Sequence, residues 1–288
     1  MIQKFFHLLV LPLDFITKYF KALVFLLIVI VLLLSLTPKD SENSTPNLAK
    51  IYLYGPIFES EDTRTQIETI LKNPSIKGVL LLINSPGGGL GASIEISDMI
   101  RELKTKMPVI AYVEGTMASG SYYAGMVADK IYANRGALIG SIGVIFNGMN
   151  IQNLANKIGI KSQSIAAGKY KEIGTFMREW TPLEKGFLQD LIQEEYQMFI
   201  SDVASVRGLD PKDSQKYAEG KIFSASNALK LGLIDKIASQ NEAIKALKDL
   251  TQVKEAIWLK KDKFEALMDK VIKGSTQIVL QAFSQQLQ

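Results

Sequence analysis

Residues 78–89 read GVLLLINSPGGG, and this stretch decides what kind of sheet the chain can build. Gly78–Asn84 is a continuous apolar run suited to a strand buried on both faces. A glycine-rich turn follows directly, and Gly91–Lys104 behind it has the periodicity of an amphipathic helix. The same order repeats outward. Upstream, Ala49–Tyr54 is a short β-rich run ended by Gly55-Pro56, and Asp62–Lys72 is helical in pattern. Downstream, PVIAYV (108–113) is another buried strand, Ser119–Asp129 a small-residue helix and Lys130–Ala133 a further strand. This alternation predicts an α/β fold with a mainly parallel sheet and crossover helices. Residues 181–206 and 238–270 read as helices, and the tail from Gly274 is uncharged and rich in Gln.

Composition narrows the chemistry. The 288 residues carry 33 basic and 29 acidic side chains, and the net charge of +4 is spread along the chain, which makes no case for a nucleic-acid partner. There is no cysteine, so thiol nucleophiles, disulfides and thiolate metal sites are excluded. The one histidine, His7, precedes a long apolar run. A folded domain downstream therefore has no imidazole, which excludes a Ser-His-Asp triad, HExxH zinc sites and histidine acid–base catalysis. Any hydrolytic base must be a lysine, a carboxylate or a tyrosine.

The N-terminal run is Ala22–Leu36, ALVFLLIVIVLLLSL, without charge, Gly or Pro. Its length fits a signal-peptide core or a span. Tyr19, Phe20 and Lys21 in front suit a membrane interface, and Tyr19–Thr37 would give about 28 Å of helix. The exit SLTPKDSENSTP lacks an A-x-A cleavage signal, so the expectation is an uncleaved anchor, a cleaved signal peptide being the alternative. Lys4, Lys18 and Lys21 precede the span, which predicts a cytoplasmic N-terminus and a downstream domain across the membrane. Residues 38–47, polar and with two prolines, read as a linker.

Two loops are candidates for chemistry. Asn84–Gly89 follows a buried strand, at the carboxyl end where open α/β sheets place their sites. Its glycines leave backbone N–H groups unshielded for an anion or an oxyanion, though a tight turn has the same composition. It matches neither GxGxxG nor GxxxxGK[ST]. Glu114–Ala124, EGTMASGSYYA, follows the strand PVIAYV. There Ser119 stands at a helix start, either as an exposed nucleophile or as an ordinary N-cap. Ser121 and Ser85 compete with it. Lysine is the known partner of serine in dyads without histidine, but it must lose about three pKa units to act near neutrality. Composition does not choose among the lysines.

At this point the residues resemble the signal peptide peptidase A family, membrane-anchored Ser-Lys proteases related in fold to ClpP and the crotonases. The match spans about residues 48–236: INSPGGG (83–89), GTMASGSYYAG (115–125), ADKIYA (128–133), IGSIGVI (139–145), AGKYKEIGTF (167–176), then YAEGKIF and ALKLGLID up to 235. The length resembles the short, single-copy form. The resemblance implies repeated β-β-α units, Ser119 as nucleophile, Lys171 as general base, Ser141 as the serine that positions the lysine, and an oxyanion hole from the amides of Gly87 and Gly120. Ser121 departs from the family, which commonly has glycine there. Lys169 is a neighbour that does not match the lysine motif, and Asp129 reads as a strand-positioning residue. No metal, nucleotide or other cofactor is implied. A ring-like homo-oligomer is, with nucleophile and base able to come from neighbouring protomers, acting on remnant signal peptides and other short or unfolded chains beside membrane lipid.

The resulting plan is a cytoplasmic segment (1–21), a transmembrane anchor (22–37) in the inner membrane, a linker (38–47), an extracytoplasmic peptidase domain (48–240) and a C-terminal helical extension and tail (241–288). Two other readings compete. One is a crotonase-like acyl-CoA enzyme, disfavoured by the anchor and by the serine–lysine pair. The other is an inactive membrane scaffold, disfavoured because every dyad element is present.

Overall fold

The apolar runs become strands, and glycine, proline and capping residues set where they stop. The computed structural model describes residues 45–260, together with the helical positions 18–22, 24–26 and 29. The chain divides into two compact units, Met1–Ser44 and Thr45–Gln288. Among the described residues no helix is long and apolar enough to cross a membrane, and the anchor expected at 22–37 falls mostly outside them.

The second unit runs β1 (Ala49–Tyr54), α1 (Glu61–Leu71), β2 (Val79–Ser85), α2 (Leu90–Lys106), β3 (Val109–Ala118), α3 (Gly120–Gly125), β4 (Lys130–Ala133), β5 (Leu138–Gly140) and α4 (Gln152–Lys157). It continues with α5 (Pro182–Arg207), a 3-10 turn at Pro211–Asp213, α6 (Ser214–Tyr217), β6 (Ile222–Ser224), α7 (Ala225–Lys230), β7 (Lys236–Ile237) and α8 (Gln240–Thr251). The main sheet has the order β1-β2-β3-β4-β7, all parallel, in line with the mainly parallel α/β fold expected.

Side chains alternate across this sheet, so each buried strand serves two cores. Val79, Leu81 and Ile83 join Val109, Ala111 and Val113 against Ile96, Ile100 and Leu103 of α2, whose i, i+4, i+7 spacing puts them on one stripe. Leu80, Leu82, Ile110 and Tyr112 turn the other way, onto Ala243 and Leu247 of α8. Fully burying each Leu or Ile is worth about 1.5–3 kcal/mol, and Leu81→Ala would lose about 2–5 kcal/mol through the cavity it leaves. The helix expected at the head of a C-terminal extension thus belongs to the core of the second unit. It ends at Gln252, in the left-handed conformation (φ 56°), well short of the expected 270, and Trp258 bridges back to Leu48.

The β-β-α repeat is present in reduced form. Past β1, β2 and β3 the chain makes short second segments, and these pair with one another and with β5. Ile57 bridges Gly88, Ser85 pairs with Met117, Thr116–Ala118 pairs with β5, and β5 pairs antiparallel with β6. The chain therefore leaves the main sheet at the carboxyl ends of β2 and β3 and brings two loops against each other. That is where the site lies.

Candidate active site

Ser119 sits between the last residue of β3 and the first of α3, with φ 52° and ψ −125°. A non-glycine residue held there costs about 1–3 kcal/mol and persists only where its surroundings over-determine it. The surroundings do so. The Ser119 N–H donates to Gly140 O at 2.8 Å, and its carbonyl accepts from the Tyr123 N–H at 3.0 Å. Behind it, the Tyr123 hydroxyl donates to Asp202 and its ring packs on Phe199, with centroids 5.0 Å apart, which ties α3 to α5. Burial and the Asp202 carboxylate push the Tyr123 phenol above its ordinary pKa, so it stays a donor. The Ser119 side chain makes no capping hydrogen bond, although the residue stands at the N-cap position. Its half-buried hydroxyl is left to the cavity in front of it.

The competing serines are otherwise engaged. Ser121 is fully buried; its hydroxyl accepts from the Ala118 N–H at 2.8 Å and contacts the carbonyls of Ser85 at 2.7 Å and Ala118 at 2.9 Å. The serine that replaces the family's usual glycine therefore ties the ends of β2 and β3 together. Ser85 is also fully buried and accepts from the Gly87 N–H at 3.1 Å.

That last bond corrects one expectation. Gly87 was the anticipated oxyanion donor, but its N–H is taken by Ser85. The alternative is set by pairing. Ile57 donates to Gly87 O at 2.9 Å and accepts from the Gly89 N–H at 2.8 Å, so the N–H of Gly88, between them, faces away from Ile57. Among the described residues neither the Gly88 nor the Gly120 N–H has an acceptor, and both residues line the cavity with Ser119. Side chains are barred from this cradle. A Cβ on Gly87, itself at φ +94°, would lie 2.6 Å from Gly120 N. One on Gly88 would lie 1.9 Å from Ile57 O, and one on Gly120 2.2 Å from Ser93 Oγ.

Ser141 emerges beside Ser119 because β5 lies parallel to the end of β3, with Gly140 paired to Ala118. It repeats the same backbone departure, at φ 50°, and its N–H donates to Lys221 O at 2.7 Å. Ser119, Gly88, Gly120 and Ser141 line a cavity of about 590 Å³, walled on one side by α5. Among the described residues no group of three or more His, Asp or Glu side chains could hold a metal ion.

Lys171 is elsewhere in the chain. It is exposed, does not line the Ser119 cavity, and sits on a chain of turns held by its own N–H to Gly168 O at 3.2 Å and by Ile173 N–H to Tyr170 O at 3.1 Å. The next residue, Glu172, accepts from Arg178 at 3.4 Å, and Arg178 also grips buried Glu184 through two bonds of 2.8 and 2.9 Å. The Arg178 guanidinium, then the Thr181 N–H, hold the Glu184 carboxyl down at about 2. Glu184 in turn closes a capping box with Thr181 at the start of α5. The turns that carry Lys171 are thus clamped to the foot of α5. The same stretch of chain carries exposed apolar side chains: Met149, Ile158, Ile165 and Phe176 are each more than half exposed. Asp129 does what its position suggested, accepting from the Val109 N–H at 2.8 Å to set the start of β3.

The family model described as peptidase family S49 matches residues 101–254, which include Ser119, Ser141 and Lys171. The chain belongs to that family. Among S49-like relatives, a putative protease of Methanocaldococcus jannaschii is 39% identical over 221 residues, covering 72% of this chain and 71% of its own. A putative signal peptide peptidase, SppA, of Enterococcus faecium is 32% identical over 192 residues, covering 66% of this chain and 56% of its own. A ClpP1 mutant from Listeria monocytogenes has a similar structure at TM-score 0.48 and 18% identity, covering 68% of this chain and 94% of that one. Membership of S49, the signal peptide peptidase A family read from the motifs, makes the chain a serine protease.

Some of this S49 site was not visible beforehand. Gly88 depends on the distant pairing of Ile57, which no local pattern announces. Ser93, packed under Gly120, looked like any polar residue on a helix. Tyr196 and Glu219, which meet at the cavity wall, lie in segments with no chemical motif beyond the Y-A-E-G-K string itself.

Proposed function

We propose that this serine protease is a membrane-anchored endopeptidase in which Ser119 is the nucleophile and Lys171 of a neighbouring protomer is the general base. The observation that carries the reading is the split between them. Ser119 stands strained, uncapped and flanked by two free amides, whereas Lys171 is exposed and away from the cavity in its own protomer. A lysine accepts a proton only as the free amine, which burial or a nearby positive charge favours. Docking the exposed apolar arm on a second copy would supply that burial. Such contacts, repeated head to tail, close a ring.

In this mechanism Ser119 Oγ attacks the peptide carbonyl while Lys171 takes its proton. The developing oxyanion is met by the N–H groups of Gly88 and Gly120 at the amino end of α3. Lys171 returns the proton to the leaving amine, and water then hydrolyses the acyl-enzyme. Ser141, beside Ser119, is placed to hold the incoming amine. No step needs a metal or a cofactor. The substrates are remnant signal peptides and other short or unfolded chains. The apolar run at 22–36 with lysines before it supports a single-pass inner-membrane anchor, a cytoplasmic N-terminus and an extracytoplasmic peptidase unit.

The test is complementation. Ser119→Ala and Lys171→Ala, each inactive alone, should regain peptidase activity when co-expressed, because a mixed assembly contains interfaces with both wild-type groups. Two folded, assembled variants that stay inactive together would sink the shared site.

A further inference from the structure

The cavity in front of Ser119 is lined by glycines, serines, glutamines and apolar side chains, and by one charged residue, Glu219. Its placement is unusual in three ways. First, Glu219 has φ 61° and is followed by Gly220 at φ 65°, and the Lys221 N–H closes the turn on Ala218 O at 3.2 Å. Two successive left-handed residues with that bond make a type I′ turn, whose first centre favours Asn, Asp or Gly over Glu. Second, the carboxylate is fixed. Tyr196 of α5 donates its hydroxyl to Glu219 Oε1 at 2.8 Å and accepts from the Glu219 N–H at 3.0 Å. Burial and then the Glu219 carboxylate push the Tyr196 phenol upward, so it remains a donor. Third, among the described residues no Lys or Arg forms a salt bridge with Glu219. An exposed carboxylate with lone pairs to spare is held at one end of a cavity that otherwise carries no charge.

We infer that Glu219 is a specificity-determining residue that binds the cationic end of a substrate lysine or arginine side chain in the Ser119 cavity. The inference rests on the peptidase reading above. The rest of the wall suits such a side chain, because Leu90, Val144, Ile145 and Ile192 offer apolar contact to its methylenes while its head reaches the carboxylate. The partner's Lys171 is the poorer occupant. A carboxylate beside an amine favours the protonated form, which opposes the role of a base.

The experiment uses full-length enzyme and fluorogenic peptides that differ only in carrying lysine or norleucine, scanned through positions P3 to P2′. A charge-assisted bond of this kind predicts that lysine is preferred at one position by about ten- to hundredfold in kcat/KM. Glu219→Gln, which keeps an acceptor for Tyr196, should abolish that preference mainly through KM and leave the norleucine peptide within about twofold. Glu219→Asn, better suited to the turn, should do the same, so that a folding defect in one variant does not decide the matter. The proposal is overturned by the absence of a lysine preference at every position. It is equally overturned if the variants slow both peptides alike, or shift the pH profile of both, which would mean that Glu219 acts on the base. Cleavage that survives Ser119→Ala would instead overturn the parent reading, while the lysine preference stayed measurable.

Discussion

The two halves of the proposed dyad sit in opposite kinds of structure. Ser119 is over-determined: backbone bonds to Gly140 and Tyr123, glycines too close for any Cβ, and a buried serine tying β2 to β3 all converge on it. Lys171 hangs on consecutive turns beside Glu172, which one arginine holds, in a stretch of chain with apolar side chains left in the open. A geometry needing accuracy of a fraction of an ångström is built into the core of one protomer. The proposed base, which would have to lose a proton, lies exposed, where a second copy could bury it. The contrast teaches that, on the proposed reading, activity belongs to the assembly, while the glycine cradle is built by the chain alone.

Removing either half should produce the largest effects. Ser119→Ala should lower kcat by about four orders of magnitude or more, with folding and assembly unchanged, as measured on fluorogenic peptides and by sedimentation. Lys171→Ala and Lys171→Arg should both be inactive, since a guanidinium does not deprotonate at accessible pH. Lys169→Ala should keep substantial activity. An inactive Lys169→Ala beside an active Lys171→Ala would move the base to the wrong neighbour and break the comparison.

The cradle itself should be intolerant in a way that can be dissected. Gly120→Ala places a methyl 2.2 Å from Ser93 Oγ, and overpacking of this sort costs about 1–3 kcal/mol. Adding Ser93→Ala removes the colliding hydroxyl and should restore part of the lost melting temperature. Independent, additive effects would mean that the close approach is not what excludes a side chain there.

The arm should respond to acid more gently. The Glu184 carboxyl is held down at about 2, so its grip on Arg178 stabilises the folded state above the ordinary carboxylate range and fades as pH falls through about 4.5 toward 2. Hydrogen exchange across residues 168–178 should therefore quicken, relative to the β2–β3 core, once pH drops below about 4. Arg178→Ala should give the same local loosening at neutral pH. Uniform acceleration of both regions would erase the distinction between core and arm.

Much of the core was legible because a parallel sheet writes itself as unbroken apolar runs: 78–84 and 130–133 fall within a residue of β2 and β4. Elsewhere the local pattern misled. The strand read as 108–113 runs on to Ala118, since Glu114–Gly115–Thr116 looks like a loop but is carried as strand by partners the sequence does not announce, the Thr116 N–H donating to Asn84 Oδ1 at 3.2 Å. The helix read as 119–129 stops at Gly125, and Asp129 then serves the sheet. Ser119 was a candidate from its loop and its helix start, with an ordinary N-cap role and two other serines in competition, and the family resemblance singled it out. Lys171 was reached through family resemblance alone, and no periodicity distinguishes it among 33 basic residues. Gly87 and Gly88 look identical in sequence, and only strand pairing tells which N–H is free.

The positive φ of Ser119 has a further consequence, for durability. The strain lies in the backbone and not in the hydroxyl, so glycine at this one position would relieve it at the expense of the proposed nucleophile. Ser119→Gly should melt higher than Ser119→Ala, by roughly 2–4 °C for each kcal/mol released. If Ser119 is the nucleophile, robustness and turnover pull against each other at this single residue.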